Sequence, residues 1–389
     1  MATTKNKSRY DVIVAGVGSM GAAACYYLAE RGHMVLGLEQ FDIPHEHGSH
    51  TGQSRIIRKA YFEHPDYVPL LQRAYDNWSR IEQAAGVQLF HRTGLLYFGQ
   101  KEHDLMTGVR ESSRRYHIPI NNLTRTEAVD RFPQFEVPGS YEAIFEPDAG
   151  FVLPEKSIAV CYELALRQGA EIHTREGVIS WEKKGDDILV ATRKGEYTAK
   201  KLIIAAGGWA GRLIPALHDK LTVTRQTVAW VKPKNWDLFT QLQFPTWVVA
   251  DPDYPGIFYG FPILSAANHR GPAGLKIAHH TPGPKTDPND LRPEIPEGDI
   301  GNILYALRKY LPEGYETILT LKTCLYTNSP DEHFIIDHLP GYDQSVVIAA
   351  GFSGHGFKFA PMVGETLADL AMEGKSELPI DFLSVRRFL

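Results

Sequence analysis

Apolar runs and apolar stripes succeed one another along this chain, and each change of pattern marks an element. Residues 10–16 form a near-continuous apolar run, as a strand buried on both faces does. Residues 19–31 carry a helical pattern and 34–39 a second apolar run, so the three predict one βαβ unit. Residues 40–58 read as loop, broken by Pro44, Gly48 and Gly52. A helix is expected from about 66 to 84, with Val68, Leu71, Trp78 and Ile81 on one face. Strand-like runs such as 93–98 alternate with short helices over 86–145, and 154–169 reads as a helix with proline near its start. Strands follow at 177–181, 188–192 and 201–206, separated by turns at Gly185 and Gly195. Residues 223–262 are rich in aromatic and β-branched residues and read as strands. The most loop-like stretch is 281–298, with Pro282, Pro284, Pro288, Pro293 and Pro296. A helix near 300–311, a strand at 346–350, a glycine-rich turn and a helix at 361–373 complete the order.

The βαβ elements thus lie at both ends and in the middle, with strand-rich stretches between. This pattern predicts an α/β chain (α+β overall), in which a discontinuous Rossmann-type domain carries an inserted, mostly β domain. The 389 residues are ample for two domains. A net charge of −5 gives no reason to expect nucleic acid or an acidic membrane as partner. No run of about 18 apolar residues is present, so no membrane span is expected. The polar, basic start at 1–8 and the short apolar run after it do not resemble a signal peptide. With only three cysteines (Cys25, Cys161 and Cys324), a reducing, cytoplasmic setting is expected, and no disulfide framework.

The first chemistry appears at Gly16-Val17-Gly18-Ser19-Met20-Gly21, a G-x-G-x-x-G run between a strand and a helix. Gly16 permits the tight turn, Gly18 lets a pyrophosphate approach the backbone, and Gly21 lets helix and strand pack closely. Free N–H groups around Ser19 and Met20 would face the phosphates. Glu39 ends the second strand, 18 residues after Gly21, where it would accept from a ribose hydroxyl. A glycine-rich turn without a ligand is the plainer alternative. The motif does not separate FAD from NAD. Two features favour FAD: the unit begins near residue 10, and a second strand-to-glycine turn at 202–209, with Gly207 and Trp209, follows a β-rich stretch.

More distinctive runs lie at 48–58 (GSHTGQSRIIR), 259–262 (YGFP), 274–276 (GLK), 323–327 (TCLYT), 331–337 (DEHFIID) and 351–358 (GFSGHGFK). In this order, and over nearly the whole chain, they resemble the monomeric sarcosine oxidase family, which includes N-methyltryptophan and pipecolate oxidases. The resemblance implies an FAD-binding domain over 1–85, 146–222 and 320–389, and a substrate domain over 86–145 and 223–319. It implies oxidation of the C–N bond of a small secondary amino acid (sarcosine, an N-methyl amino acid, or a pipecolate- or proline-like ring) by O2, giving an imine, then aldehyde and amine, with hydrogen peroxide. No obligate protein partner is implied.

The resemblance also implies residue roles. Cys324 matches the cysteine joined through sulfur to the flavin, a link that thiolate attack on the flavin methyl group would make. Lys276, in an apolar run, matches the lysine that activates dioxygen, where an ammonium stabilises superoxide. Arg58 and Lys358 match the pair that holds the substrate carboxylate, and Arg55 a residue near the flavin face. Tyr259, His280 and Tyr326 match residues of the substrate pocket. Ser49, Gly354, Gly356 and Phe357 match flavin-contacting positions, where backbone N–H groups would face negative charge. The run His45-Glu46-His47-Gly48-Ser49-His50 looks like a metal cluster, but no second ligand group at metal-site spacing accompanies it, and none is expected. Many sarcosine oxidases have histidine where this chain has Thr51, and the run around it looks closer to pipecolate oxidases. An NAD-dependent dehydrogenase, a flavin-binding sensor without turnover and an oxidase of sugar-modified amino acids are the alternatives.

Overall fold

The computed structural model of the protein describes residues 9–265, 271–281, 283–290 and 294–389. The polar start at 1–8 and the loop residues Pro282 and Pro293 lie outside these. The apolar run near the N-terminus forms the strand Arg9–Ala15, in which Val12, Ile13 and Val14 are fully buried. Strands with both faces covered suit the parallel pairing seen here. Arg9–Ala15 lies between Val35–Leu38 and Glu196–Ile204, both parallel to it, with Val14 opposite Gly37 and Ile203. Val346–Ala350 extends the parallel set, placing Ile348 beside Ile204. The hairpin Val178–Lys184 and Asp187–Thr192 pairs antiparallel onto the outer part of Glu196–Ile204.

The helix Ser19–Glu30 is apolar on nearly every side, and all its residues from Met20 to Ala29 are buried. Such a helix belongs between other elements and not on a surface. It packs on Pro154–Arg167 and Ala360–Glu373. A Cβ on Gly364 would lie 2.4 Å from that of Ala23, so the first and last helices touch backbone to backbone.

A second eight-stranded sheet runs in the order Thr317–Asn328, Thr222–Lys232, Leu275–His280, Ile257–Phe261, Thr246–Val249, Leu95–Gln100, Tyr141–Glu146, Asn121–Leu123. Its core gathers Phe98, Phe135, Trp247, Phe258 and Leu307. At roughly 1.5–3 kcal/mol for each large apolar side chain buried, such a cluster contributes strongly to holding the sheet against its helices. Thr317–Asn328 pairs with Thr222–Lys232 along its length, so the expected division at 320 falls inside a strand of this sheet.

Two other expectations shift. The stretch 40–58 is not all loop: Arg55–Ile57 is a short strand against Gly150–Val152. The helix expected near 300 begins at Glu297, after Pro296, with Glu297 and Asp299 in its first turn, where the helix dipole favours acids. Among the described residues, no helix is long and apolar enough to cross a membrane.

Candidate active site

A cavity of about 400 Å³ opens at the carboxyl ends of the parallel strands, where open α/β sheets bind ligands. Residues just past each strand line it: Gly16, Glu39, Ala205 to Gly207, and Gly351. Gly16 has φ +92°, and a Cβ there would meet Ala205 O at 2.7 Å. Gly21 does not line the cavity, but a Cβ on it would sit 1.8 Å from Gly16 O, so helix and strand close up only around glycine. Gly18, by contrast, has nothing within 4 Å of its would-be Cβ and borders the open cavity with Ser19 and Met20. No side chain caps this helix start. Its first N–H groups therefore remain for a phosphate.

Glu39 is buried, and its carboxylate accepts from Val17 N at 2.9 Å and Phe41 N at 3.0 Å. Burial raises its pKa against the pull of these bonds. Trp209 and Ser49 line the same end. The Thr327 hydroxyl, in the wall beside them, is buried with no hydrogen-bond partner, an orphaned group of the kind a bound polar ligand satisfies. Open space at Gly18, uncapped N–H groups, a buried acid and an orphaned hydroxyl together fit a dinucleotide such as FAD.

The second sheet closes the other end of the cavity with Val248, Ile257, Tyr259, His280 and Tyr326. His280 Nδ1 and the Tyr326 hydroxyl lie 2.9 Å apart. Burial, with Lys358 and Arg58 nearby, pushes His280 down to about 4, so its ring is neutral at pH 7. Arg58 and Lys358 are both buried and both line this end. The Arg58 guanidinium sits 4.3 Å from the Tyr61 ring centroid and 4.5 Å from that of Phe62. Its Nη2 donates to both oxygens of Glu63, at 2.6 and 2.7 Å. Burial opposes the charge of Glu63, but Arg58 outweighs it and holds the carboxyl down to about 2. Lys358 Nζ donates to His355 O at 2.6 Å, and burial and the Arg58 charge lower its pKa to about 7. The side chain of His355 is held by the Tyr61 hydroxyl. The two expected carboxylate holders thus share one chamber with an acid, Glu63, that sequence reading did not single out.

Lys276 and Cys324 do not line the cavity but lie behind its wall. Lys276 is buried, and Nζ donates to Gly52 O, Ser54 O (2.6 Å) and Ser54 Oγ (3.1 Å). Burial and Arg55 push its pKa well below the ordinary lysine range. Cys324 packs with Trp230 and Tyr326; burial raises its thiol, while Arg55 and Lys276 pull the other way. Arg55 does line the cavity, donating backward to Ser49 O and Ser54 O at 3.0 Å each and to Thr51 O. Ser49, Gly354, Gly356 and Phe357 border the cavity as expected. Of the histidine run, His45 and His50 face it; burial drives His45 down to about 3.

Known proteins place this arrangement. The family model described as FAD dependent oxidoreductase matches residues 11–370. The monomeric sarcosine oxidase of Arthrobacter sp. (strain TE1826) is 39% identical over 387 residues, covering 98% of this chain and 97% of its own. N-methyl-L-tryptophan oxidase of Yersinia pestis (strain Pestoides F) is 34% identical over 382 residues, covering 97% and 99%. The solved structure of NikD, an unusual amino acid oxidase essential for nikkomycin biosynthesis, aligns with TM-score 0.84 and 26% identity over 97% of each chain. With a dinucleotide cradle built on a parallel sheet and a family match across most of its length, the chain belongs to the FAD-dependent oxidoreductases.

Proposed function

We propose that this protein oxidises the C–N bond of a small secondary amino acid, such as sarcosine, another N-methyl amino acid, or a ring such as pipecolate or proline. The carbon beside nitrogen loses two electrons and a proton, and nitrogen loses a second proton. O2 takes the two electrons and the two protons and leaves as hydrogen peroxide; water then splits the imine into aldehyde and amine. FAD, when bound, supplies the two-electron relay between substrate and O2. The observation that carries this reading is the meeting, in one cavity, of a dinucleotide cradle with two buried cations, Arg58 and Lys358. Relatives named for sarcosine and N-methyl-L-tryptophan, aligned over nearly the whole chain, support a secondary amine.

In this reading Arg58 and Lys358 fix the substrate carboxylate, and Phe62, Val248, Ile257 and Tyr259 receive its N-alkyl group or ring. One methyl contributes about 1 kcal/mol, so binding alone discriminates modestly; alignment of the reacting carbon supplies the rest. His280 and Tyr326, hydrogen-bonded together, form the polar wall beside it. Lys276 stabilises charge developing on dioxygen, with Arg55 as the second cation of that face. Cys324 would carry the flavin through a thioether, in which an S–C bond replaces the S–H and a methyl C–H and the two electrons pass to O2; burial raises its thiol, and the same two cations pull toward the thiolate. Free, buried cysteines suit a cytoplasmic setting, and nothing in the reading calls for a protein partner.

The reading is tested by peroxide release from sarcosine, L-pipecolate, L-proline, N-methyltryptophan, glycine and L-alanine at equal concentration. Secondary amines turn over fastest; faster turnover of glycine or L-alanine than of every secondary amine overturns it.

Lys358 adds a pH signature. Its free pKa of about 7 rises when a carboxylate binds beside it. Affinity for acetate is therefore full below pH 7 and falls as pH climbs from the free toward the bound pKa. The loss is roughly tenfold or more, as for a charged hydrogen bond. Acetate titrations followed by flavin absorbance at pH 6 and pH 9 measure it. In Lys358→Met the fall disappears; a fall that persists there assigns it to another group.

A further inference from the structure

The turn at 51–55 is sorted by charge. Its N–H groups at Gly52 and Gln53 donate to one oxygen, Glu155 Oε1, at 2.8 and 3.1 Å. Its carbonyl oxygens face cations: Gly52 O and Ser54 O accept from Lys276, and Thr51 O and Ser54 O from Arg55. Gly52 O and Gln53 N–H belong to the same planar peptide and point in opposite directions. One peptide is therefore held between a carboxylate and an ammonium. The backbone bends to allow it, with φ +120° at Gly52 and +68° at Gln53. The Gln53 side chain is pinned as well, accepting from Trp230 Nε1 at 2.9 Å and donating to Pro272 O at 3.0 Å. Glu155 stands in the first turn of Pro154–Arg167, where a helix dipole favours negative charge. The charged and titratable groups acting on Lys276 are Arg55, Glu155 and Cys324, so Glu155 is the carboxylate of the group.

We propose that Glu155 is a positioning residue, whose carboxylate acts through the Gly52–Gln53 peptide to hold the Lys276 ammonium where it serves dioxygen. This rests on the reading of Lys276 as the group that activates dioxygen. Glu155 polarises the peptide so that Gly52 O becomes a stronger acceptor, and it neutralises one of the two like charges, Lys276 and Arg55, that flank the turn. Neither effect needs contact with substrate or flavin.

Glu155→Gln tests it, because the amide keeps an oxygen for both N–H groups and loses only the charge. The first readout is a double-mutant cycle on urea unfolding of the purified enzyme, with Lys276→Met as the second change. The expected result is a clear fall in midpoint for Glu155→Gln alone and a much smaller one in the Lys276→Met background. Equal falls in the two backgrounds show that Glu155 only props the turn, and overturn the proposal. The second readout is the split between half-reactions. In Glu155→Gln, reoxidation by O2 slows by about tenfold, and anaerobic reduction by sarcosine slows by much less; equal slowing overturns the proposal. If Glu155→Gln alone does not fold, the proposal requires that Glu155→Gln/Lys276→Met does, and failure of both overturns it. Coupling in the unfolding cycle, with normal reoxidation in Lys276→Met, removes the dioxygen role from Lys276 itself and so separates the two ideas.

Discussion

Replacing Lys276 by Met slows reoxidation by dioxygen about 100- to 1,000-fold, while anaerobic reduction by sarcosine slows by less than about tenfold. The magnitude is that of removing one preorganised charge from a site where negative charge develops. The asymmetry follows from placement. Lys276 lies behind the cavity wall, hydrogen-bonded to Gly52 and Ser54, and not among the residues that face the substrate end. Arg58 and Lys358 stand at that end and remain intact in the variant. Methionine is close to lysine in length and unbranched, so the packing against Phe261, 4.4 Å from Nζ, is largely kept. Rapid mixing of the reduced enzyme with oxygenated buffer, and of the oxidised enzyme with sarcosine under nitrogen, reads the two steps separately. Equal losses in both would remove the oxygen-side role.

Cys324→Ala abolishes covalent flavin altogether. Wild-type protein run on a denaturing gel fluoresces at the position of the chain, and the variant does not. The thiol is buried, which by itself keeps it protonated and inert. The two cations beside it act in the opposite direction, and they mark it off from Cys25 and Cys161, whose thiols burial pushes up to about 12. Flavin that washes out of the denatured wild type would refute the link. A fluorescent band surviving in Cys324→Ala would move it to another residue.

Sequence reading reached the dinucleotide cradle because its signals are local. Gly21 answers a steric demand within one strand–helix turn, Gly16 turns with positive φ against the backbone of Ala205, and Gly18 borders open space. The helix Ser19–Glu30 and the strands around it announce themselves by apolar runs. Arg55–Ile57 escaped because a three-residue strand has no period to detect, and its partner Gly150–Val152 lies far along the chain. Glu63 escaped for a related reason. Nothing in the run Arg58 to Glu63 says that the chain turns back, so that the acid meets the guanidinium between two aromatic rings. Nothing in the sequence of the helix start at 154 singles out Glu155; its meeting with Gly52 and Gln53 arises from tertiary packing. Lys276 was legible as buried from its apolar strand, but its three acceptors were not.

The cradle's walls come from distant parts of the chain: 16–20, 205–207 and 351–358. The central strand Glu196–Ile204 pairs with Arg9–Ala15 on one side and Val346–Ala350 on the other. Contacts spanning so much sequence form late, after the loops between them have closed. Until residues 351–358 have been synthesised, a nascent chain lacks one wall of the cavity. The cavity that fits the dinucleotide is thus complete only when all three segments have come together.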